Sequence, residues 1–396
     1  MPARFIPSIA FIVCAAAIFS AEPLSAAEAE WEPDIYPRSN LFPSLILGSA
    51  RLDLPDEFFA GWEENHLGDT QGLIGISLTG PKKGAKVEVT VHGTNYFDES
   101  TFTGTLEEDA DGLLIHPKIA YNFAALSKVR QAVPLNVKIS LKIDGKDLGS
   151  KTATATLRPV NDCLFGVEEF HDEDNPGHSD YSWLFTAYVN ENHPWVDRLL
   201  KEALETKVVD SFDGYQSGDP EQTLLQIFAI WNAMQRRGLK YSDITTTAAQ
   251  DEGVYSQHVR LFEESIEVAQ ANCVDGSVLL AALLRKIGLN PYLVLVPGHM
   301  FLAVDLDDET TIGLETTLMG STDLPAYDKK KTIQFRDVEE AKNQDSWDSF
   351  EAAVAIGTGA LEKHADDFEG ESLQHQIIDL DVARDAGILP IVSSQD

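Results

Sequence analysis

Residues 270–290 read QANCVDGSVLLAALLRKIGLN. Val274, Val278, Leu279, Ala282, Leu283 and Ile287 recur at helical spacing. Arg285 and Lys286 fall in the last turn, Gly288 gives the stop, and Pro291 enforces it. The helix therefore opens at or beside Cys273. At that end, unpaired amides and the helix dipole favour a thiolate. A cysteine that only fills a core could sit anywhere on the buried face. Three roles stay open from the residue alone: core filler, half of a disulfide with Cys163, or nucleophile. Asp275 is expected to cap the helix start rather than join any chemistry.

The chain continues YLVLVPGHMFLAVDLDDETTIGLETT. Two strands, YLVLV and HMFLAVDL, are joined by Pro297-Gly298, and DDET turns into a third, TIGLETT. His299 opens the second strand and Glu315 lies toward the end of the third. Taken singly, Cys273 reads as a small buried hydrophobe, His299 as a strand-end residue and Glu315 as surface charge. Their order on separate elements reads instead as nucleophile, base and imidazole orienter. For an oxyanion stabiliser, the Cys273 amide is the natural first donor, with Gln257 and Gln270 as side-chain candidates.

Upstream, His193-Pro194 opens a helix at WVDRLLKEALE, and Glu221 to Gly238 forms a second, well-buried helix. SDITTTAAQDEGVYSQHVRLF reads as a loop or lid. Before Trp183 the pattern is different. LIGISLT and VEVTVH alternate as half-buried strands, and Val137 to Val160 reads as a hairpin turning at Asp144-Gly145. Ala120 to Arg130 suggests a short helix. Several short strands with turns between them suggest an immunoglobulin-like sandwich. In the tail, VEEAKNQ and WDSFEAAVAIGTGALEKH read as helical, with IIDL and ILPIV as closing strands. The domains expected are a leader at 1–27, a β-sandwich at 28–165 and an α+β domain at 166–396.

The leader rests on Arg4, an apolar run from Ile9 to Phe19, and small residues at Ser25-Ala26-Ala27. It implies an exported protein, periplasmic or extracellular, with no integral span after cleavage. With 64 acidic and 30 basic residues the formal charge is −34, which repels phosphate backbones and argues against nucleic-acid binding. Two cysteines beyond the leader are too few for a disulfide framework. The acidic loop HDEDNPGHSD lacks the pattern of a calcium loop or the spacing of a zinc site, so no metal ligands are assigned. No cofactor motif is present, GTGA at Gly357 to Ala360 reads only as a small-residue stretch, and no cofactor is expected.

From about Glu221 to Met319 the chain resembles the transglutaminase-like superfamily, in its bacterial cysteine-peptidase-like branch. The residues that carry the likeness are the cysteine ahead of an acid and an apolar helix, Arg285 and Gly288 before a strand, Gly298-His299, and LETT. The resemblance implies a papain-like α+β core with a Cys–His–acid triad of Cys273, His299 and Glu315. Glu315 is one methylene longer than the aspartate usual there, so Asp305 and Asp307 stand in reserve. Met300-Phe301 and Asn272 also depart from the family's pattern. The activity implied is acyl transfer through a thioester, hydrolysing peptide or amide bonds of a protein or peptide substrate. Crosslinking to an amine, a deglycosylating amidase, and a non-catalytic binding or envelope-assembly module are the alternatives.

Overall fold

The computed structural model describes residues 29–52, 65–170, 176–243, 251–329, 339–342, 344–370, 372 and 374–392. The proposed leader and part of HDEDNPGHSD lie outside them. The chain is a mixed α/β protein with several sheets, divided into two compact units. One holds residues 8–181 and 249–256, the other 182–248 and 257–396. The division thus falls later than position 165 because Asp162–Phe170 pairs with Pro176–Asp180 before the chain leaves. No described helix is long and apolar enough to cross a membrane.

The N-terminal unit contains β1 (Glu30–Ile35), β2 (Asn40–Leu41), β3 (His66–Gly68), β4 (Ile74–Thr79), β5 (Lys86–Val91) and β6 (Ser100–Thr105). It continues with β7 (Leu113–His116), β8 (Val133–Ile143), β9 (Lys146–Leu157), β10 (Asp162–Phe170) and β11 (Pro176–Asp180). Two short helices, α1 (Pro43–Gly48) and α2 (Phe123–Leu126), interrupt them. One sheet runs β1-β4-β7-β3 and another β2-β9-β8-β5-β6. Alternation explains both: Val87, Val89 and Val91 face inward on β5, and Val137, Ile139 and Leu141 on β8. These residues join Ile74, Ile76 and Leu78 of β4 in one apolar core. The β8–β9 hairpin turns at Asp144-Gly145, both at positive φ (52° and 78°), the pairing of residues that such a turn needs. Only Phe123–Leu126 of the helix expected at 120–130 forms, capped by Asn122.

A chain of polar groups crosses the first of these sheets. His66 Nε2 lies 2.6 Å from His116 Nδ1, and His116 Nε2 lies 2.9 Å from Asp34 Oδ2. Burial, then the nearby His116, hold His66 down to about 4, against the pull of Asp34. An unfolded histidine titrates near 6.5. Between those values the unfolded chain binds a proton that the folded one refuses, so stability falls as pH drops from about 6.5 toward 4 and levels below it. Denaturant unfolding at pH 7 and 4.5 should show this unit losing about 2 kcal/mol more than a His66→Asn variant does.

The second unit is built from α3 (Pro194–Glu205), α4 (Pro220–Arg236), α5 (Phe262–Val268), α6 (Cys273–Lys286), α7 (Glu339–Lys342), α8 (Trp347–Lys363) and α9 (Leu380–Asp385). Its strands are β12 (Lys240–Tyr241), β14 (Gln270–Ala271), β15 (Pro291–Val296), β16 (His299–Asp305), β17 (Thr311–Leu314) and β18 (Gln376–Asp379), while β13 (Val254–His258) joins the sheet of β10 and β11. β13 falls in the stretch read as a loop or lid. Buried Val254 and Ser256 flank exposed Tyr255 there, a period of two that the polar composition hides. The main sheet runs β17-β16-β15-β18, all antiparallel. Helix α4 carries Phe228 and Trp231 onto Trp347 and Phe350 of α8. IIDL forms β18 as expected, but ILPIV is not a strand. The preceding residues turn into α9, Pro390 removes a ladder donor, and Ile391 makes a single backbone bond to Ala187.

Candidate active site

Helix α6 starts at Cys273 because Asn272 caps it. The Asn272 side chain accepts from the Asp275 amide at 2.8 Å, and Asp275 Oδ2 accepts from the Asn272 amide at 3.1 Å. This reciprocal box satisfies two end groups and fixes where the first turn begins. Arg260 secures it: its amide donates to Asp275 Oδ1 and its guanidinium reaches Oδ2 at 2.5 Å. Asp275 therefore caps the helix, as expected, and Asn272 is its partner in the box. Cys273 is half-buried and free, and Cys163 is free and fully buried. Burial pushes the Cys163 thiol well up, with the charge of Asp162 adding to it.

His299 and Glu315 come from the ends of adjacent strands. Val296 pairs with His299 across the Pro297-Gly298 turn, where Gly298 takes φ +72°, so the imidazole is the first side chain after the reversal. Leu302 pairs with Leu314, which carries Glu315 to the same end of the sheet. His299 Nε2 lies 2.7 Å from Glu315 Oε2, and the ring is near enough to Cys273 for the cysteine to bear on its protonation. The sequence-predicted trio is thus brought together, with His299 in the middle. Asp305 and Asp307 are placed elsewhere. Asp305 accepts from Tyr292 at 2.7 Å and Thr311 at 2.5 Å, while Asp307 caps the turn amides of Glu309 and Thr310.

Charge and hydrogen bonding set the protonation of this trio. The bonds to Cys273 and then Glu315 raise His299 to about 10, although burial opposes them. Burial pushes Glu315 up, but the bond and charge of His299, with the Thr317 hydroxyl and amide, outweigh it and hold the carboxyl low. Glu315 Oε1 receives the Thr317 hydroxyl at 2.6 Å and its amide at 3.1 Å, so both carboxylate oxygens are occupied. The extra methylene of glutamate is taken up without losing the imidazole contact.

Two further contacts lock the acid strand onto the nucleophile helix. Thr316 Oγ1 donates to the Cys273 carbonyl at 3.4 Å and lies 3.3 Å from Ser277 Oγ, which itself donates to that carbonyl at 2.7 Å. A side chain at Gly276 would press on Thr316 at 3.1 Å. Behind β17, α8 comes backbone to backbone: a Cβ on Gly357 would stand 2.5 Å from the Gly313 carbonyl carbon and the Leu314 nitrogen. Gly313 donates to Thr358 Oγ1 at 3.1 Å, and the Glu315 amide to the Ala353 carbonyl at 3.0 Å. The GTGA stretch is therefore the surface that seats the acid strand.

Neither glutamine suggested for the oxyanion is hydrogen-bonded to Cys273 among the described residues. Gln257 donates to the His258 carbonyl at 3.0 Å, and Gln270 is exposed on β14. Sequence reasoning missed Tyr241. β12 pairs in parallel with β14, so Tyr241 stands beside Ala271, two residues before the cysteine. Burial, then the charges of Cys273, Asp243 and Glu315, push its phenol up, which keeps the hydroxyl a donor. Nothing local marked it, because a two-residue parallel pairing leaves no periodic signal. No protein-family model matches the chain, and no curated protein matches it significantly.

Proposed function

We propose that the protein is a thiol-dependent acyl-transfer enzyme that cleaves peptide or amide bonds through Cys273, His299 and Glu315. The observation that carries this reading is His299 bonded to a buried carboxylate and set beside a half-buried thiol at a helix N-terminus. Two sheets around one core support the sandwich reading of the N-terminal unit, and a cysteine helix beside an antiparallel sheet supports the papain-like, transglutaminase-like one. Export and a protein or peptide partner rest on the leader and on that likeness.

In the proposed cycle the thiol proton passes to the ring, and the sulfur attacks as thiolate. The S–C bond forms while the amide C–N bond breaks, and the imidazolium gives its proton to the departing amine. Neutral imidazole then takes a proton from water, whose oxygen attacks the thioester, releasing the carboxylic acid and restoring the thiolate. The Cys273 amide and the Tyr241 hydroxyl are the donors proposed for the oxyanion. Glu315 holds the ring orientation and offsets its charge.

The test is acyl-enzyme trapping with p-nitrophenyl acetate, followed by peptide mapping. Acyl label on Cys273, absent from Cys273→Ala, is the expected result, and added amine then separates hydrolysis from crosslinking by the product formed. A free, accessible Cys273 that never acylates would hand the protein to the non-catalytic binding reading.

A further inference from the structure

Far along the chain from the triad, two histidines and an aspartate converge at the end of α8. His364 follows the last residue of the helix, Asp367 lies one short turn on, and His375 precedes β18. His364 Nδ1 stands 2.8 Å from Asp367 Oδ2, and His375 Nε2 stands 3.6 Å from the same oxygen. One ligand atom from each residue lies within 4.8 Å of the others. We propose that this cluster binds a divalent first-row transition ion, with zinc the best fit.

The chemistry of the donors selects the ion. Two imidazoles with one carboxylate suit zinc and its neighbours, whereas calcium and magnesium seek oxygen ligands. Bonds of the usual zinc length, arranged as a tetrahedron, set ligand atoms about 3.3 Å apart. The two separations to Asp367, 2.8 and 3.6 Å, bracket that value, and all three ligand atoms lie within 4.8 Å of one another. Asp367 is half exposed while both imidazoles are mostly covered, which leaves room for a water at the fourth position.

The surroundings are already arranged to hold the rings. Phe368 meets His364 and His375 edge-on, at centroid distances of 6.5 and 6.2 Å. Phe368 itself packs on the cluster of Val294, Phe301 and Ala303 under the main sheet. Ser372 Oγ lies 3.4 Å from His375 Nδ1, which leaves Nε2 turned toward Asp367. The site also sits at the negative end of a 17-residue helix, where a cation is favoured. An ion there would tie the end of α8 to the segment entering β18. The spacing H-x2-D-x7-H was visible in the sequence, but without the helix end it does not distinguish ligands from solvated side chains.

The test uses full-length Cys273→Ala protein, stripped with chelator and desalted, so that the Cys273 thiol does not compete. Zinc chloride should bind at one equivalent and raise the melting temperature in step with its concentration. Cobalt(II) should give visible bands of a nitrogen and oxygen site. His375→Gln and Asp367→Asn, which keep side-chain size, should each weaken binding at least as much as the roughly 10–100-fold that loss of a supporting partner costs a metal site. Circular dichroism verifies that they fold. No saturable zinc binding by the Cys273→Ala protein, or binding unchanged in both variants, would overturn the proposal.

Discussion

His299→Gln should lower amide cleavage by about 10²–10⁴-fold, the range that a positioned acid–base group supplies. The effect on the thiol itself is smaller and separable. At pH 6 an ordinary thiol is roughly 0.3% ionised, so a resting thiolate–imidazolium pair increases the reactive form by roughly 300-fold. A more stabilised thiolate is a weaker nucleophile, however, and this takes back more than a tenfold part of the gain. Iodoacetamide labelling of Cys273 at pH 6 should therefore fall by about tenfold in the variant. The profile discriminates better than the rate. If the proposed pair keeps the thiol proton on His299, native labelling should stay nearly flat between pH 6 and 9. In the variant it should climb about tenfold per pH unit until an ordinary thiol is ionised. Glu315→Gln removes the negative charge that helps hold the ring's proton, so its profile should fall between these. Identical profiles in all three proteins would rule out the paired resting state.

Gly357→Ala should destabilise the second unit by about 2–4 kcal/mol, a loss that thermal unfolding reads as roughly 5–15 °C. The sign is what makes the experiment informative. Glycine inside a helix ordinarily costs about 1 kcal/mol relative to alanine, so the substitution should stabilise α8 if nothing faced it. Here the added Cβ would stand 2.5 Å from backbone atoms of Gly313 and Leu314, which cannot rotate away. Gly359, two residues on in the same helix, has nothing within 4 Å of its Cβ position. Gly359→Ala should therefore raise stability by up to about 1 kcal/mol. Because Gly313 sits on β17, two residues before Glu315, the Gly357 variant should also slow Cys273 labelling at pH 6, while the Gly359 variant should not. Two stabilising substitutions would mean that helix and strand are farther apart than described.

The cysteine helix was legible because its signals are local: period, cap and stop all lie within Asn272 to Gly288. His299 and Glu315 were legible because a Pro-Gly reversal and a short acidic turn fix which ends of β16 and β17 meet. What could not be read depends on contacts remote in sequence. The Gly313–Gly357 approach appears in the sequence only as two small residues. Tyr241 reaches the site through a pairing too short to leave a period. Val254–His258 was hidden because its outward-facing residues are polar and aromatic, and its neighbours resemble a loop. ILPIV misled in the opposite direction: its apolar run satisfies a strand pattern, yet Pro390 and the preceding α9 give it no ladder to join.

The burial of Cys163 has a practical consequence for anyone who assays this protein. With that sulfur fully enclosed and its ionisation suppressed, a thiol reagent applied to the folded chain lacking residues 1–27 counts Cys273 alone. The native titre is then the concentration of accessible Cys273, and the titre in denaturant is twice the concentration of polypeptide. A preparation that is wholly folded and unoxidised reads one to two. Any departure from that ratio reports damaged nucleophile when it is lower and opened N-terminal core when it is higher, before a substrate is in hand.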